Sequence, residues 1–164
     1  ASVARKCVFF ATFTLQDIGM LFGQDRDQLR KFYCKAWESQ RKGKPLEPLQ
    51  AQIVSVIEKH PEYQALLENP ERALAKEYLP ELGETNPFLH MAMHLAIQEQ
   101  VGTNRPTGIR DLYHRLLIKT ADNHELEHKL MECLAEMIWQ AQKDGKAPDE
   151  ERYLACIKSI AEAV

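Results

Sequence analysis

The chain has 164 residues, of which 45% are hydrophobic and 27% are charged, a composition typical of one soluble globular domain. Its 21 lysine and arginine residues stand against 24 aspartate and glutamate residues, which gives a net charge of −3 at pH 7. This balance excludes a strongly basic nucleic-acid-binding surface and a polybasic membrane-surface protein. No apolar run approaches the roughly 18 residues that a membrane span needs. We therefore expect no nucleic acid and no membrane as a partner.

The first 20 residues differ in pattern from the remainder of the chain. An apolar stretch at residues 7–13 follows two basic residues, as in a secretory signal, but no small-x-small cleavage site follows and Asp17 comes early. Codons for residues 16–17 can form a purine-rich ribosome-binding sequence upstream of Met20, which would then be the true first residue. We expect residues 1–20 to be a poorly ordered or non-native extension.

Helical patterns fill nearly all of the chain from Asp25 onward. Helices are predicted over about 25–41, 46–59, 62–68, 70–78, 86–101, 108–120, 122–143 and 148–163. The strongest start signal is Asn86-Pro87, an N-cap residue followed by proline, and alternation with period two is confined to residues 7–14. The sequence predicts one all-α domain over residues 21–164, a bundle of about six to eight helices with short loops.

The four cysteines are not arranged as a metal or redox motif. Cys7, Cys34, Cys133 and Cys156 include no pair at Cys-x-x-Cys spacing, which excludes a thiolate zinc knuckle and a thioredoxin-type pair. We expect reduced, mostly buried thiols in a cytoplasmic protein.

Four of the six histidines form two pairs with helical spacing. His90 and His94 are four residues apart on one predicted helix, and His124 and His128 are four apart on another. Residues at i and i+4 share a helix face, so each pair can present two imidazoles to one point. Two such helices that face each other would offer up to four nitrogen ligands to a metal ion.

Helical-wheel positions place these histidines among apolar residues. His124, His128 and Glu127 fall on the apolar face of their helix, and Glu132 falls at its edge. The first half of the other helix is apolar all round, so His90 and His94 are expected to be buried and to need partners.

These positions predict a site for one divalent transition-metal ion with an open coordination position. Zinc, iron, nickel and manganese all fit, and no organic cofactor is indicated. Glu127 would be a ligand, a catalytic base or the group that orients an imidazole, and Glu132 would be a ligand or base.

The stretch from His124 to His128 also matches two short catalytic patterns. It reads H-E-x-x-H with Glu125 as the general base, and H-x-x-E-H with Glu127 as the base. A zincin-like hydrolase is therefore an alternative. Against it, the chain has no predicted sheet to align a peptide, and Glu125 faces solvent on the helical wheel.

Two further alternatives need no catalysis. In the first, the chain is an interaction or scaffold protein whose histidines form a hydrogen-bonded core network. In the second, it is a regulator that responds to pH or metal, because imidazoles titrate near neutral pH. His60, before Pro61, is interpreted as a helix-end residue near the last carbonyls. The sequence identifies no substrate, leaves a small-molecule or protein partner open, and would suit a homodimer as well as a monomer.

Several long segments together resemble one known family. They are residues 86–100, 106–110, 124–134 and 139–145. The chain is similar, from about Leu21 to Ile160, to a small and mainly proteobacterial family that is catalogued only as a domain of unknown function. The resemblance implies a bacterial, cytoplasmic, helical protein and implies no activity.

Overall fold

The computed structural model describes residues 26–79 and 82–163, so the predicted extension at residues 1–20 lies outside the described part. The helices in chain order are α1 (Arg26–Arg41), α2 (Pro48–Glu58), α3 (Pro61–Leu67), α4 (Pro70–Ala75), α5 (Pro87–Thr103), α6 (Ile109–Thr120), α7 (Asn123–Asp144) and α8 (Glu150–Glu162). These eight helices account for the regular structure of the described residues, which contain no strand. The prediction of an all-α fold with about six to eight helices is confirmed.

Contacts along the chain divide the described residues into two compact units, one before and one after the boundary between Leu95 and Ala96. The division falls inside α5, and each unit is described by itself. The prediction of one domain over residues 21–164 stays a prediction. Within the described ranges, no helix has both the length and the apolar content of a membrane span.

Side-chain capping contacts mark the starts of three helices, α5, α7 and α8. The Asn86 side-chain oxygen accepts a hydrogen bond from the backbone N–H of Phe88 at 3.0 Å. The carboxylates of Asp122 and Asp149 accept backbone N–H groups in the first turns of α7 and α8. These side chains satisfy donors that a helix leaves without an internal partner.

The first unit packs α1 to α4 around the beginning of α5. Helix α1 packs against α2, α3 and α4, and the rings of Tyr33 and Phe88 meet edge to face at 5.9 Å. The largest fully buried side chains of this unit are Tyr33, Ile53, Ile57, Leu67 and Met91. The first turns of α5 are buried, as expected of a segment that is apolar all round.

A buried arginine joins α1 to the end of α4. Arg30 is 2% exposed, and its Nη1 donates to the carbonyl oxygens of Ala73 at 2.8 Å and Lys76 at 2.7 Å. Its guanidinium also lies 4.9 Å from the ring centroid of Phe88. Arg30 thereby supplies donors to carbonyls that the short helix α4 leaves open at its end.

The second unit packs α6, α7 and α8 against one another. The hydroxyl of Tyr153 on α8 donates a 2.7 Å hydrogen bond to Oε1 of Gln100, and both side chains are buried. In the first turn of α6, Nε of Arg110 donates to the carbonyl of Val101 at 3.0 Å. These contacts connect α8 and the beginning of α6 to the last turns of α5.

One cysteine expectation is wrong. Cys133 on α7 and Cys156 on α8 form a disulfide with a Cα–Cα distance of 5.8 Å. The packing of α8 on α7 brings together two cysteines that are 23 residues apart, a separation that matches no short motif. Cys34 remains a buried free thiol, as expected, and Cys7 lies outside the described residues.

The contacts of Arg30 lead to a stability prediction. The substitution Arg30→Ala leaves buried carbonyls without donors, so we expect the free energy of unfolding to fall by about 2–4 kcal/mol. The matched control is Arg26→Ala, because the Arg26–Glu77 ion pair is exposed and should contribute little. Urea unfolding monitored by circular dichroism measures both. Equal losses in the two variants would contradict the structural role of Arg30.

Candidate metal centre

Three histidines meet in the first unit. His60 precedes α3, and His90 and His94 lie on the first turns of α5. One ligand nitrogen from each lies within 4.8 Å of the other two. The ring centroids are 4.9 Å apart for His60 and His90, 4.8 Å for His60 and His94, and 5.0 Å for His90 and His94. We call these residues the three-histidine cluster.

A backbone carbonyl fixes the proton position on His60. Its Nδ1 lies 2.7 Å from the carbonyl oxygen of Val56. Because a carbonyl only accepts, Nδ1 carries the proton, and Nε2 of the neutral ring keeps its lone pair. That Nε2 lies 3.0 Å from Nε2 of His90. When both rings are neutral, the Nε2–H of His90 is therefore the donor in this contact.

Packing shields most of the cluster from solvent. His60 is 2% and His94 is 1% exposed, whereas His90 is half-buried. The ring of Tyr63 stacks on that of His60 at 5.2 Å and lies 6.0 Å from that of His90. Burial raises the pKa of the Tyr63 hydroxyl. The contact with Val56 and the stacking on Tyr63 thus restrict the rotation of the His60 ring.

The spacing of the nitrogens suits a transition-metal ion. Two imidazole nitrogens bound to one zinc ion at about 2.0–2.1 Å, with an angle of about 90–110°, lie about 2.9–3.4 Å apart. The 3.0 Å between the Nε2 atoms of His60 and His90 falls in this range. One nitrogen of His94 lies within 4.8 Å of one nitrogen of each of these two residues. The three imidazoles are therefore close enough together to be candidate ligands of one ion.

The second predicted pair lies in the second unit. The rings of His124 and His128 are 4.3 Å apart on α7. One nitrogen of His124 and one carboxylate oxygen of Glu127 lie within 4.8 Å of each other. Glu127 is buried as expected, whereas His124 is only half-buried. The prediction that both histidine pairs bind a single ion involves residues of both units and stays a prediction.

The buried carboxylate of Glu127 has identifiable neighbours in the second unit. Nε2 of Gln98 lies 3.3 Å from each of its carboxylate oxygens. The pKa of Tyr113 is raised to about 12, mainly by burial and to a smaller extent by the negative charges of Glu127 and Asp122. The carboxylate therefore has a polar neighbour within its own unit. From this position it can act as the group that orients an imidazole, as the sequence suggests.

The other predicted acidic residues are placed differently. Glu125 is exposed, as the helical wheel indicated, and its carboxylate pairs with Nζ of Lys129 at 3.1 Å. Glu132 is also exposed. Among the described residues, neither belongs to a group of three or more side chains whose ligand atoms lie together. The catalytic role predicted for Glu125 and the ligand role predicted for Glu132 remain predictions.

Sequence analysis missed the role of His60 in the cluster. The helix-end interpretation is correct as far as it goes, because the ring donates to Val56 in the last turn of α2. The opposite nitrogen, however, faces His90, which is 30 residues away. One sequence signal was available. His60 continues the apolar stripe of Ile53, Val56 and Ile57 at helical spacing, which predicts a buried ring that needs a second partner.

The chain matches a known protein family over most of its length. Residues 25–159 match the model of a family described as Domain of unknown function (DUF1841), and the family resemblance of the sequence is thereby confirmed. No curated protein and no solved structure matches the chain. The description of the family names no activity.

The His60–Val56 contact leads to a spectroscopic prediction. In metal-free protein near pH 8, two-dimensional long-range ¹H–¹⁵N spectra should show His60 as the Nδ1–H tautomer, because Val56 accepts that proton. His114, which is exposed on α6, is the reference for a ring in water. An Nε2–H tautomer at His60 would contradict the described hydrogen-bond pattern.

Proposed function

The chain belongs to the DUF1841 family, and we propose that it binds one divalent transition-metal ion through His60, His90 and His94. The observation that carries this proposal is the 3.0 Å separation of two Nε2 atoms, with the third imidazole close by and little solvent access. A metal-binding protein is the function that this arrangement supports best.

The surroundings of His60 support a ligand role. Metal-bound histidines almost always donate their second ring N–H to a carbonyl, a carboxylate or water, which orients the ring and fixes its tautomer. Nδ1 of His60 has such a partner in the carbonyl of Val56 at 2.7 Å. The ring of His60 is thereby oriented before any ion arrives. An ion bound by both Nε2 atoms would displace the proton that His90 donates to His60, and this proton would be released to solvent.

The donor set narrows the choice of metal. Imidazole nitrogen suits zinc, iron and nickel, whereas manganese prefers carboxylate, carbonyl and water oxygens. Of the four metals expected from the sequence, zinc, iron and nickel therefore fit the three-histidine cluster better than manganese does.

Three protein nitrogens leave one tetrahedral position for a water molecule or a small ligand. A zinc ion with three protein ligands and an open position supplies Lewis acidity and a bound water of lowered pKa. In this chain, the imidazoles would hold the ion and Tyr63 would keep the His60 ring in place. Burial of His60 and His94 would limit the approach of bulk water.

A second candidate function needs no metal. The hydrogen bond between His60 and His90 also fits a scaffold protein in which neutral histidines specify the packing of α5. This candidate rests on the same contact, and the two hypotheses differ in one measurable property, which is metal content.

Elemental analysis of chelator-free protein separates the two candidates. We expect about one equivalent of zinc, iron or nickel in the wild type, and its loss in His90→Ala and in His94→Ala, because two imidazoles bind far more weakly than three. His114→Ala, at an exposed position on α6, is the matched control and should keep the ion. Circular dichroism checks that each variant is folded.

Other results of the same analysis would count against the proposal. A wild type without metal, even after reconstitution with zinc, iron and nickel salts, would leave the hydrogen-bonded scaffold. A His124→Ala/His128→Ala double variant tests the prediction from the sequence that the second pair supplies ligands. If this variant lost the ion while His90→Ala and His94→Ala kept it, the ion would have to be assigned to α7.

A further inference from the structure

The disulfide of the second unit lies in the wall of a cavity. Cys133 and Cys156 both line a space of about 580 Å³, which is bounded by the last turns of α7, the turn at residues 145–149 and the first turns of α8. This volume falls in the range of small-molecule sites, roughly 300–1,000 Å³. A disulfide in such a wall can be reached by a small molecule that enters the cavity.

The two halves of the disulfide differ in exposure. Cys133 is 3% exposed, whereas Cys156 is half-buried. Thiol–disulfide exchange begins when a thiolate attacks one sulfur and expels the other. Cys156 is therefore the half of the disulfide that is more open to an incoming thiolate, and in an attack on its sulfur Cys133 is the leaving group.

The cavity offers charges of both signs to a ligand. Lys146 and Arg152 line it, and so do three acidic residues, Glu136, Asp144 and Asp149. The one ion pair between these residues is long and exposed, because Nη2 of Arg152 lies 3.8 Å from Oε1 of Glu136. Such loosely paired charges are available to a ligand that itself carries carboxylate and ammonium groups.

We infer that this cavity is an exchange site for low-molecular-weight thiols that carry both carboxylate and ammonium groups. The thiolate attacks Sγ of Cys156, a new sulfur–sulfur bond forms, the Cys133–Cys156 bond breaks, and Cys133 leaves as a thiolate. A second thiol releases Cys156 as a thiolate, and the two small thiols leave as their disulfide. Two electrons pass from the small thiols to the protein.

Exchange at this site would alter the attachment of α8. In the oxidised chain, α8 is joined covalently to α7 and is anchored by the buried residues Tyr153 and Ile157. The mixed disulfide removes the covalent link and places the small molecule in the cavity. The inference is independent of metal binding, which concerns the first unit.

Reduced glutathione is a suitable probe, because it carries two carboxylates and one ammonium group. Folded wild-type protein is incubated with it, quenched with acid and an alkylating reagent, and mapped by peptide mass spectrometry. We expect one glutathione on the peptide that contains Cys156, with Cys133 alkylated. Mapping assigns the modified sulfur without any cysteine substitution.

A comparison of two thiols tests recognition by the cavity. The Lys146→Gln/Arg152→Gln double variant should react with glutathione about tenfold more slowly, because charged clefts concentrate ligands of complementary charge. Its rate with uncharged 2-mercaptoethanol should not change. Lys158→Gln, at an exposed position of α8 outside the cavity lining, is the matched control and should behave as the wild type does.

Three results would overturn the inference. The first is a disulfide that resists glutathione until the chain unfolds. The second is an adduct on Cys133 rather than on Cys156. The third is an equal slowing of both thiols in the double variant, since that would indicate altered access to the sulfur and not recognition of charge.

Discussion

Burying an imidazole costs free energy unless its nitrogens find partners, and this constraint governs the first unit. His60 and His94 are almost fully buried. The carbonyl of Val56 satisfies one nitrogen of His60, and this contact turns the other nitrogen toward His90. The end of α2 and the first turns of α5 are therefore related by a polar contact whose geometry also fits a metal ion. The candidate function and the packing of this unit depend on the same few atoms.

Local features of the chain could be predicted from the sequence because they depend on residues that are close together in the sequence. Asn86, Asp122 and Asp149 cap helices through side-chain oxygens that reach N–H groups two or three residues ahead, and such contacts follow from residue type and spacing alone. The pairing of His90 with His94 follows in the same way from the period of the helix. The all-α fold and the shared helix face of His90 and His94 were therefore accessible without coordinates.

Contacts between residues that are distant in the sequence could not be predicted in this way. His60 meets His90 across 30 residues, and Cys133 meets Cys156 across 23. Both contacts depend on how helices pack, and neither spacing corresponds to a motif. For this reason the expectation of reduced cysteines was wrong for Cys133 and Cys156, and His60 was predicted only as a helix-end residue. Because the description of the family names no activity, the packing of these side chains is the main guide to function.

The central claim is that three imidazoles of the first unit bind one ion. The most direct measurement is a crystal structure of zinc-loaded protein, with anomalous diffraction recorded on both sides of the zinc absorption edge. The account predicts one strong anomalous peak at about 2.0–2.1 Å from one nitrogen each of His60, His90 and His94. Absence of a peak there at saturating zinc, with the His60–His90 hydrogen bond intact, would contradict it.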